Sequence, residues 1–443
     1  MIRLSNSNFL TRLSILMVML IYLLVGYTFE RHQTEVWLCY WVVLSLSYAW
    51  WMWKLEELSL KEFIGASILF RLAFTFSIPG LSDDFYRFLW DGSLWNMGIN
   101  PFSMTPREVL EQTNDPRLQN LFIGVYGKDY ATVYPPLAQL GFWLAAKFSE
   151  HLLVSIIVLR MIVFLFEAGT FLLLIRLLET LKLDSRRLLM YSLNPLIILE
   201  FSGNLHHEAY VLFFLALVFW WMIRQHYFFA ALSFSGAVLS KLVPLLFLPS
   251  LIRWLSNKNS FRFVSVVLIL TVFGILLMTD RLFLDGLVSG LSLYYQKFEF
   301  NPSLWYIVRA VGFAVTGYNI IGVAAPALLV IGGLVILMLS LRQPKSELPT
   351  LNIPDLANQW IILLSVYLLC STIVHPWYIA PLVFLSVLGT IKYPLLWSCL
   401  ILLTYSGYTA DGYMEYPIVL VLEYLPVLIF IIWEWKSAST LKI

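Results

Sequence analysis

Apolar runs of about 15 to 25 residues alternate along the chain with shorter polar stretches. A run of this length predicts a helix that spans a bilayer, because about 20 helical residues cross the hydrocarbon core. The pattern predicts an all-α, polytopic integral membrane protein with about 13 or 14 spanning helices. The main predicted spans are 13–29, 36–53, 63–79, 152–178, 188–205, 209–223, 263–278, 320–339 and 356–374, with three more before the C-terminus.

Two apolar stretches do not fit a single span. Residues 137–148 are too few to cross a bilayer, so we expect a half-embedded helix there. Residues 228–251 contain Lys241 and Pro244 and lie between basic stretches that both belong on the cytoplasmic side. The stretch therefore predicts two short helices that meet near Lys241. Membranes tolerate such a break only where it lines a cavity enclosed by protein.

Basic residues predict the orientation of the chain. Arg3 and Arg12 precede the first span and Lys436 follows the last, so both ends are expected in the cytoplasm. The charged, proline-rich segment 342–355 is expected on the same side.

Two long polar segments, 81–135 and 280–319, then fall on the non-cytoplasmic side. They are too long to be simple connectors between helices. We expect residues 1–443 to form one polytopic domain in the cell's inner or plasma membrane, with these outer segments as the roof of an active site.

Composition excludes several classes of protein. With 60% hydrophobic and 13% charged residues, a chain of 443 residues could not be soluble. The formal net charge is +2 and no basic stripe is present, so no nucleic-acid partner is expected. Cys39, Cys370 and Cys399 show neither metal-ligand nor disulfide spacing, and no metal site is predicted.

The first outer segment begins with LSDDFYRFLWDGSLWNMGINP, residues 81–101. Asp83 and Asp84 follow an apolar run and are expected where a spanning segment emerges into water. The pair is a candidate for a catalytic role, and the rival interpretations are a helix N-cap or a metal ligand. A helix lying along the membrane interface is predicted behind the pair, because polar and aromatic residues recur at helical spacing: Tyr86, Arg87, Trp90 and Asp91.

Polar residues elsewhere in the chain fall on the same outer face. They are 206–208, the stretch from Tyr294 to Arg309, and His375. A shared site is the simplest explanation for this convergence. Lys241 is a lone lysine within an apolar run, which predicts an anionic partner such as a lipid phosphate. The alternative is a lysine that extends to the cytoplasmic surface.

Several motifs together carry a resemblance. They are Ser82-Asp83-Asp84-Phe85-Tyr86-Arg87-Phe88-Leu89-Trp90-Asp91-Gly92, Gly98-Ile99-Asn100-Pro101-Phe102, Tyr134-Pro135-Pro136-Leu137, Asn194-Pro195-Leu196 with Glu200 and Gly203-Asn204, Lys241-Leu242-Val243-Pro244, Phe300-Asn301 and His375-Pro376-Trp377. In this order the set resembles the integral-membrane mannosyltransferases of the GT-C superfamily, which use polyprenyl-phosphate sugars. The likeness covers nearly the whole chain. It departs at Leu205-His206-His207-Glu208, where similar bacterial proteins often have Gly-His-Asn/His-Asp.

The resemblance implies a GT-C-like fold and an inverting transfer of a hexose, mannose above all, from a polyprenyl-phosphate sugar to a lipid or glycan acceptor. The reaction would take place on the non-cytoplasmic face, beside membrane lipids and without a cofactor. Asp84 would be the base, because its spacing to the turn at 98–101 matches the family's catalytic Asp, and Asp83 would be its partner or substitute. The other residues implied in substrate binding are Tyr86, Arg87, Asp91, Tyr134, His206, His207, Glu208, Lys241, Asn301, Arg309 and His375.

Two other classes of protein compete with this interpretation. A polytopic lipid flippase or secondary transporter would also carry charges within its spans. Such transporters usually repeat a broken helix in two halves, and the sequence shows no such repeat. A non-catalytic lipid-binding or assembly subunit is the third possibility. We expect Arg71, Arg160, Glu167 and Glu200, which lie within spans, to pair inside the protein.

Overall fold

The computed structural model describes residues 6–148, 151–279, 286–288, 290, 298–342 and 352–440. Its α-helices are Asn6–Tyr27, Thr34–Trp53, Leu60–Leu72, Asp84–Asn96, Pro106–Gln112, Pro116–Gly124, Pro136–Lys147, Leu152–Thr180, Leu188–Ser192, Pro195–Ile197, Glu208–Ile223, Tyr227–Ser240, Leu248–Trp254, Asn257–Leu276, Leu304–Thr316, Ile321–Leu341, Ile353–Cys370, Ala380–Leu388, Tyr393–Leu400 and Pro417–Thr440. Short 3₁₀-helices are Leu55–Glu57, Ser185–Arg187, Val243–Phe247, Pro376–Ile379 and Ile401–Gly407. Ile198–Gly203 is a π-helix, and the strands Tyr408–Thr409 and Gly412–Tyr413 pair in antiparallel fashion.

The protein is an all-α polytopic membrane protein, as predicted. Within the described residues, six helices are long and apolar enough to cross a bilayer, which is fewer than the number of spans predicted. A seventh span is present if the bent pair Pro195–Gly203 and Glu208–Ile223 counts as one. The six helices are Phe9–Tyr27, Leu152–Thr180, Asn257–Leu276, Ile321–Leu341, Ile353–Cys370 and Pro417–Ser437.

The shortfall has a physical reason, which is that polar residues and prolines break several predicted spans. The predicted span 188–205 is wrong as one helix, because Asn194 caps a new helix at Pro195 with its side chain. The helix that follows ends at Gly203, and a separate helix begins at Glu208. The predicted span 63–79 also ends early, since its helix stops at Leu72.

A short helix and a helix break occur where the sequence predicted them, and the half-embedded position of the short helix stays a prediction. The stretch 137–148 forms the 12-residue helix Pro136–Lys147. The helix Tyr227–Ser240 ends before Lys241, whose backbone is extended. The predicted cytoplasmic segment 342–355 and the predicted outer segment 280–319 lie partly outside the described residues; Tyr294 is among those not described.

The chain packs as two compact units, which we call the first and the second unit. The first unit comprises Met1–Ser82, Leu174–His206 and Pro376–Ile443. The second comprises Asp83–Leu173 and His207–His375.

In the first unit, aromatic side chains satisfy carbonyl groups of the short helices. The indole nitrogen of Trp37 donates to the carbonyl oxygen of Leu402 over 2.9 Å. The hydroxyl group of Tyr48 donates to the carbonyl oxygen of Met190 over 2.6 Å. Broken helices leave such groups without intrahelical partners, so these bonds allow the breaks in an apolar environment.

In the second unit, the helix Asp84–Asn96 packs closely against the helix Pro136–Lys147. The rings of Phe88 and Phe142 stack with their centroids 4.5 Å apart. One turn further along, a Cβ atom at Gly92 would overlap the carbonyl group of Phe142. The glycine therefore permits the close approach that fixes the helix behind the aspartate pair.

Candidate active site

The aspartate pair lies at the beginning of a helix. Asp84 is the first residue of Asp84–Asn96, and Asp83 is at the N-cap position. The Asp83 side chain does not form the capping hydrogen bond, and both residues are half-buried. The positive end of the helix dipole favours carboxylates at this position. Two carboxyl groups that are adjacent in sequence thus lie, partly accessible, at the beginning of this helix.

One face of this helix continues the charged surface into the interior. Asp84, Arg87 and Asp91 are spaced three and four residues apart, so they lie on one side of the helix. The Arg87 Nε atom is 2.9 Å from Asp91 Oδ1, and Arg87 Nη1 donates to the carbonyl oxygen of Tyr130 over 3.1 Å. The guanidinium group is therefore fixed by two acceptors.

Asp91 is fully buried. Its Oδ2 atom accepts hydrogen bonds from Thr132 Oγ1, at 2.5 Å, and from Gln139 Nε2, at 2.9 Å. Gln139 also accepts a bond of 2.9 Å from the indole nitrogen of Trp95. Both oxygens thus have internal partners and no surface is exposed, and contact of Asp91 with substrate remains a prediction. Thr132 and Gln139 were not expected from the sequence; a polar residue within a short apolar helix is the only signal for Gln139.

The turn after this helix has the conformation that its glycine favours. Gly98 has φ of 73°, and Ile99 donates its N–H to the carbonyl oxygen of Leu94 over 2.9 Å. Asn100 then donates from Nδ2 to the carbonyl oxygen of Met278, at 2.8 Å. This bond ties the first outer segment to the end of a long apolar helix.

The rest of the first outer segment is folded. Thr105 and Glu108 form a capping box on the helix Pro106–Gln112. Arg107 and Asp129 form an exposed ion pair at 2.5 Å, and the hydrogen bond from Arg107 lowers the pKa of the Asp129 carboxyl group. Tyr86 packs against Gly124, where a Cβ atom would overlap its ring.

Aromatic rings surround His207. The rings of Phe88, Tyr134 and Phe142 lie nearly perpendicular to the imidazole ring, with centroid distances of 5.6, 5.2 and 5.8 Å. His207 is buried. Two predicted site residues, Tyr134 and His207, are thus brought together beside the helix that begins at Asp84.

Lys241 has an anionic partner, as the sequence predicted, and that partner is a carboxylate of the protein. Its ammonium group forms an ion pair with Glu208, the first residue of Glu208–Ile223. Glu208 is buried and Lys241 is half-buried. Contact of Lys241 with a lipid phosphate remains a prediction.

Two more predicted residues, Asn301 and His375, directly follow paired segments of the second unit. Phe300 bridges to residues 372–374, with its N–H donating to Thr372 over 3.0 Å and its carbonyl accepting from Val374 over 2.8 Å. The bridge places the ring of His375 4.3 Å from that of Phe300 and therefore near Asn301. Asn301 is buried and has φ of 50°, an uncommon value outside glycine.

Arg309 also has an internal partner. Its guanidinium group pairs with Glu299, which accepts a second hydrogen bond of 2.9 Å from Asn319 Nδ2. The predicted phosphate contact of Arg309 would have to compete with this carboxylate.

His206 belongs to a buried polar cluster of the first unit. It stacks on Trp377 with centroids 3.7 Å apart, and its Nδ1 atom is 3.0 Å from Glu200 Oε2. Glu200 also accepts hydrogen bonds from the Tyr405 hydroxyl group, at 2.6 Å, and from Asn204 Nδ2, at 3.0 Å. Glu200 therefore pairs inside the protein, as expected, and Tyr405 is a partner that the sequence did not indicate.

A large apolar cavity of about 770 Å³ lies within the second unit. Its size is that of a site for a small molecule or a lipid chain. One wall begins at Leu246, five residues after Lys241. The other main lining residues are Pro249, Pro326, Leu329, Ile336 and Tyr367. Among the described residues, no group of three or more His, Cys, Asp or Glu side chains could hold a metal ion.

Comparison with known proteins identifies the family. The profile of the alpha-(1->6)-mannopyranosyltransferase N-terminal domain family matches residues 11–258, more than half of the 443 residues. The match contains the aspartate pair and Lys241, whereas His375 lies beyond it. No curated protein and no solved structure matches the chain. The chain therefore belongs to the alpha-(1->6)-mannopyranosyltransferase family and is a membrane glycosyltransferase that transfers mannose.

Proposed function

We propose that this mannosyltransferase takes mannose from a polyprenyl-phosphate donor and transfers it, with inversion, to a hydroxyl group of a lipid or glycan acceptor. The observation that carries the proposal is the half-buried pair Asp83–Asp84 at the beginning of a helix. An acceptor hydroxyl group needs a base, and the pair supplies carboxylates within reach of solvent.

In the proposed reaction, Asp84 removes the proton of the acceptor hydroxyl group. The acceptor oxygen bonds to the anomeric carbon of the mannose, and the bond from that carbon to the phosphate oxygen breaks. Its electron pair leaves with the polyprenyl phosphate. Asp83, at the preceding position, is the alternative base.

The phosphate of the donor is negatively charged in the bound donor as well as in the transition state, so it needs a cation nearby throughout. Arg87 lies one turn after Asp84 on the same face of the helix, which makes it the first candidate. Lys241 is the second candidate, because an ammonium group has three N–H donors and can bind Glu208 and a phosphate together.

The apolar cavity of about 770 Å³ supports a lipid-linked donor. Leu246, which lines the cavity, is only five residues after Lys241 in the sequence. In this proposal one short segment therefore contributes both to the site of the lipid chain and to the site of its phosphate. A nucleotide sugar has no apolar tail that would use this cavity.

The alpha-(1->6) linkage named for the family is our proposal for the bond formed here. A single displacement inverts the anomeric carbon. An α-linked product therefore requires a β-linked donor.

The proposal also places the aspartate pair on the non-cytoplasmic face. Met97, directly after the helix, is 42% exposed and suits a labelling test. In a variant whose exposed Cys39 is replaced by serine, Met97→Cys should react with an impermeant thiol reagent in intact cells. Ser185→Cys, at an exposed position after the spanning helix Leu152–Thr180 and on the predicted cytoplasmic side, should react only after permeabilisation. The reverse pattern would contradict this orientation.

The donor class is tested with purified protein in lipid vesicles. We expect mannose transfer from polyprenyl-phosphate mannose and none from nucleotide-activated mannose. Transfer from the nucleotide sugar in a lipid-free system would overturn the proposal. Lipid movement without any glycosylated product would instead support the flippase or transporter.

A further inference from the structure

Three buried side chains of the second unit form one polar cluster with Arg87. They are Asp91, Thr132 and Gln139, and all three are at most 1% exposed. Asp91 lies on the helix Asp84–Asn96, Thr132 ends the first outer segment, and Gln139 lies on the helix Pro136–Lys147. The cluster thus joins three successive parts of the chain around one carboxylate.

Both oxygens of Asp91 and the side-chain oxygen of Gln139 accept hydrogen bonds within this cluster. Asp91 Oδ1 accepts from Arg87, and Asp91 Oδ2 accepts from Thr132 and Gln139. The Gln139 oxygen in turn accepts from Trp95. In an interior of low dielectric constant such a network is strong when complete and costly when one member is lost.

The network fixes Arg87 in one orientation. Two guanidinium nitrogens, Nε and Nη1, are held by Asp91 and by the carbonyl oxygen of Tyr130. Within the described residues, the third nitrogen, Nη2, donates no hydrogen bond, and the side chain is 10% exposed. One edge of the guanidinium group is thus kept for an anion, on the helix face that carries Asp84.

Packing alone does not require this arrangement. The same helix is already held by the stack of Phe88 on Phe142 and by the close approach at Gly92. Apolar residues can often replace a buried ion pair without loss of stability. A complete ionic network also fixes the orientation of the guanidinium group, and this orientation matters when the arginine binds a substrate anion.

We propose that Asp91, Thr132 and Gln139 are positioning residues that hold Arg87 ready for the phosphate of the donor. The inference rests on the proposed function, because it takes Arg87 as the phosphate contact. In this inference Asp91 acts by positioning Arg87 and does not contact the substrate.

The test is a double-mutant cycle on donor kinetics. Asp91→Asn keeps the shape but replaces a charged acceptor with an amide, so it should raise the KM for polyprenyl-phosphate mannose about tenfold with little change in kcat. Arg87→Met should raise the KM at least as much. In the Arg87→Met protein, the added Asp91→Asn change should have little further effect, because its target is already gone.

The matched control is Ser93→Ala. Ser93 is buried on the same helix and donates to the carbonyl oxygen of Leu89, at 2.6 Å, outside the network. Its loss should leave KM and kcat unchanged. Thr132→Val removes one hydrogen-bond donor to Asp91 and should raise the KM by about two- to fivefold. This variant replaces Asp91→Asn in the test if the Asp91→Asn protein does not fold.

Each other outcome overturns the inference in a recognisable way. If the rise in KM of the double mutant equals the product of the rises in the two single mutants, Asp91 does not act through Arg87. A fall in kcat at unchanged KM would make Asp91 a catalytic residue, and a lower unfolding temperature alone would make it structural. If Arg87→Met leaves the KM unchanged, the phosphate contact in the proposed function fails as well.

Discussion

Two regions of this protein hold carboxylates, and they do so in different ways. Glu200, in the first unit, is completely buried and accepts hydrogen bonds from Tyr405 and Asn204 beside His206. Asp83 and Asp84, in the second unit, are half-buried at the beginning of a helix. A carboxylate enclosed by side-chain partners holds structure, whereas one at an accessible helix end can take part in chemistry.

The backbone is irregular around Glu200 and regular after Asp84. Around Glu200 the chain forms a π-helix, and Leu205 has φ of 68°, which costs about 1–3 kcal/mol for a branched residue. The N–H groups of Asn204 and His206 bond the carbonyl oxygens of Leu199 and Glu200 and help to hold this irregular turn. The helix after Asp84 is regular and needs no such support.

The largest effect should come from Asp84→Asn. The change keeps the shape and removes the basic oxygen, so kcat should fall by about 10² to 10⁴ while donor binding and the unfolding temperature stay unchanged. Asp83→Asn is the matched control and should cost much less. If Asp83→Asn abolishes transfer and Asp84→Asn does not, the base is the neighbouring residue. Normal transfer by the double mutant would contradict the catalytic role of the pair.

Glu200→Gln should lower the stability of the fold and leave the transfer rate of the folded protein unchanged, which is the opposite of the result expected for Asp84→Asn. The new amide group would place a donor against the donors of Tyr405, Asn204 or His206, which should destabilise the fold by about 1–3 kcal/mol. Thermal unfolding in detergent should show the loss, and Tyr405→Phe should show a smaller one. Transfer per folded molecule should be unchanged. A fall in kcat without a fall in stability would place Glu200 in the catalytic machinery and remove the contrast between the regions.

The Lys241–Glu208 pair lies between these extremes. Lys241→Met alone would leave the buried Glu208 without its cation and should lower stability. Lys241→Met combined with Glu208→Gln should recover much of that stability yet raise the KM for the donor about five- to tenfold, if Lys241 binds the phosphate. A normal KM in the double mutant would show that the pair is structural, like the Glu200 cluster.

The smallest expected effect is that of a chelator. The proposed chemistry needs only a base and a cationic group, so transfer should continue at an unchanged rate after prolonged treatment with a chelator. Complete loss of transfer, restored by one divalent metal, would make Asp83 or Asp84 a metal ligand.

Local signals explain what could be predicted from the sequence. The helical spacing of Tyr86, Arg87, Trp90 and Asp91 predicted the helix behind the aspartate pair. Lys241 and Pro244, within an apolar run between basic stretches, predicted the helix break. The separate helix that begins at Pro195 was not predicted, because the apolar run 188–205 is typical of a single span.

The partners of the site residues could not be predicted, because they are distant in sequence. Thr132 and Gln139 lie 41 and 48 residues from Asp91, and Glu208 lies 33 residues from Lys241. The family resemblance predicts which residues belong to the site, and that assignment stays a prediction. Only the tertiary structure separates Asp91, with both oxygens used internally, from Asp84 at the helix end.

The most direct measurement of the central claim is the anomeric configuration of the first product. Purified protein in vesicles is supplied separately with α- and β-linked polyprenyl-phosphate mannose, and the product is examined by NMR. One displacement assisted by Asp84 predicts an α-linked mannoside from the β-linked donor and no product from the α-linked donor. An α-linked product from the α-linked donor would require retention through a second displacement, and it would contradict the account.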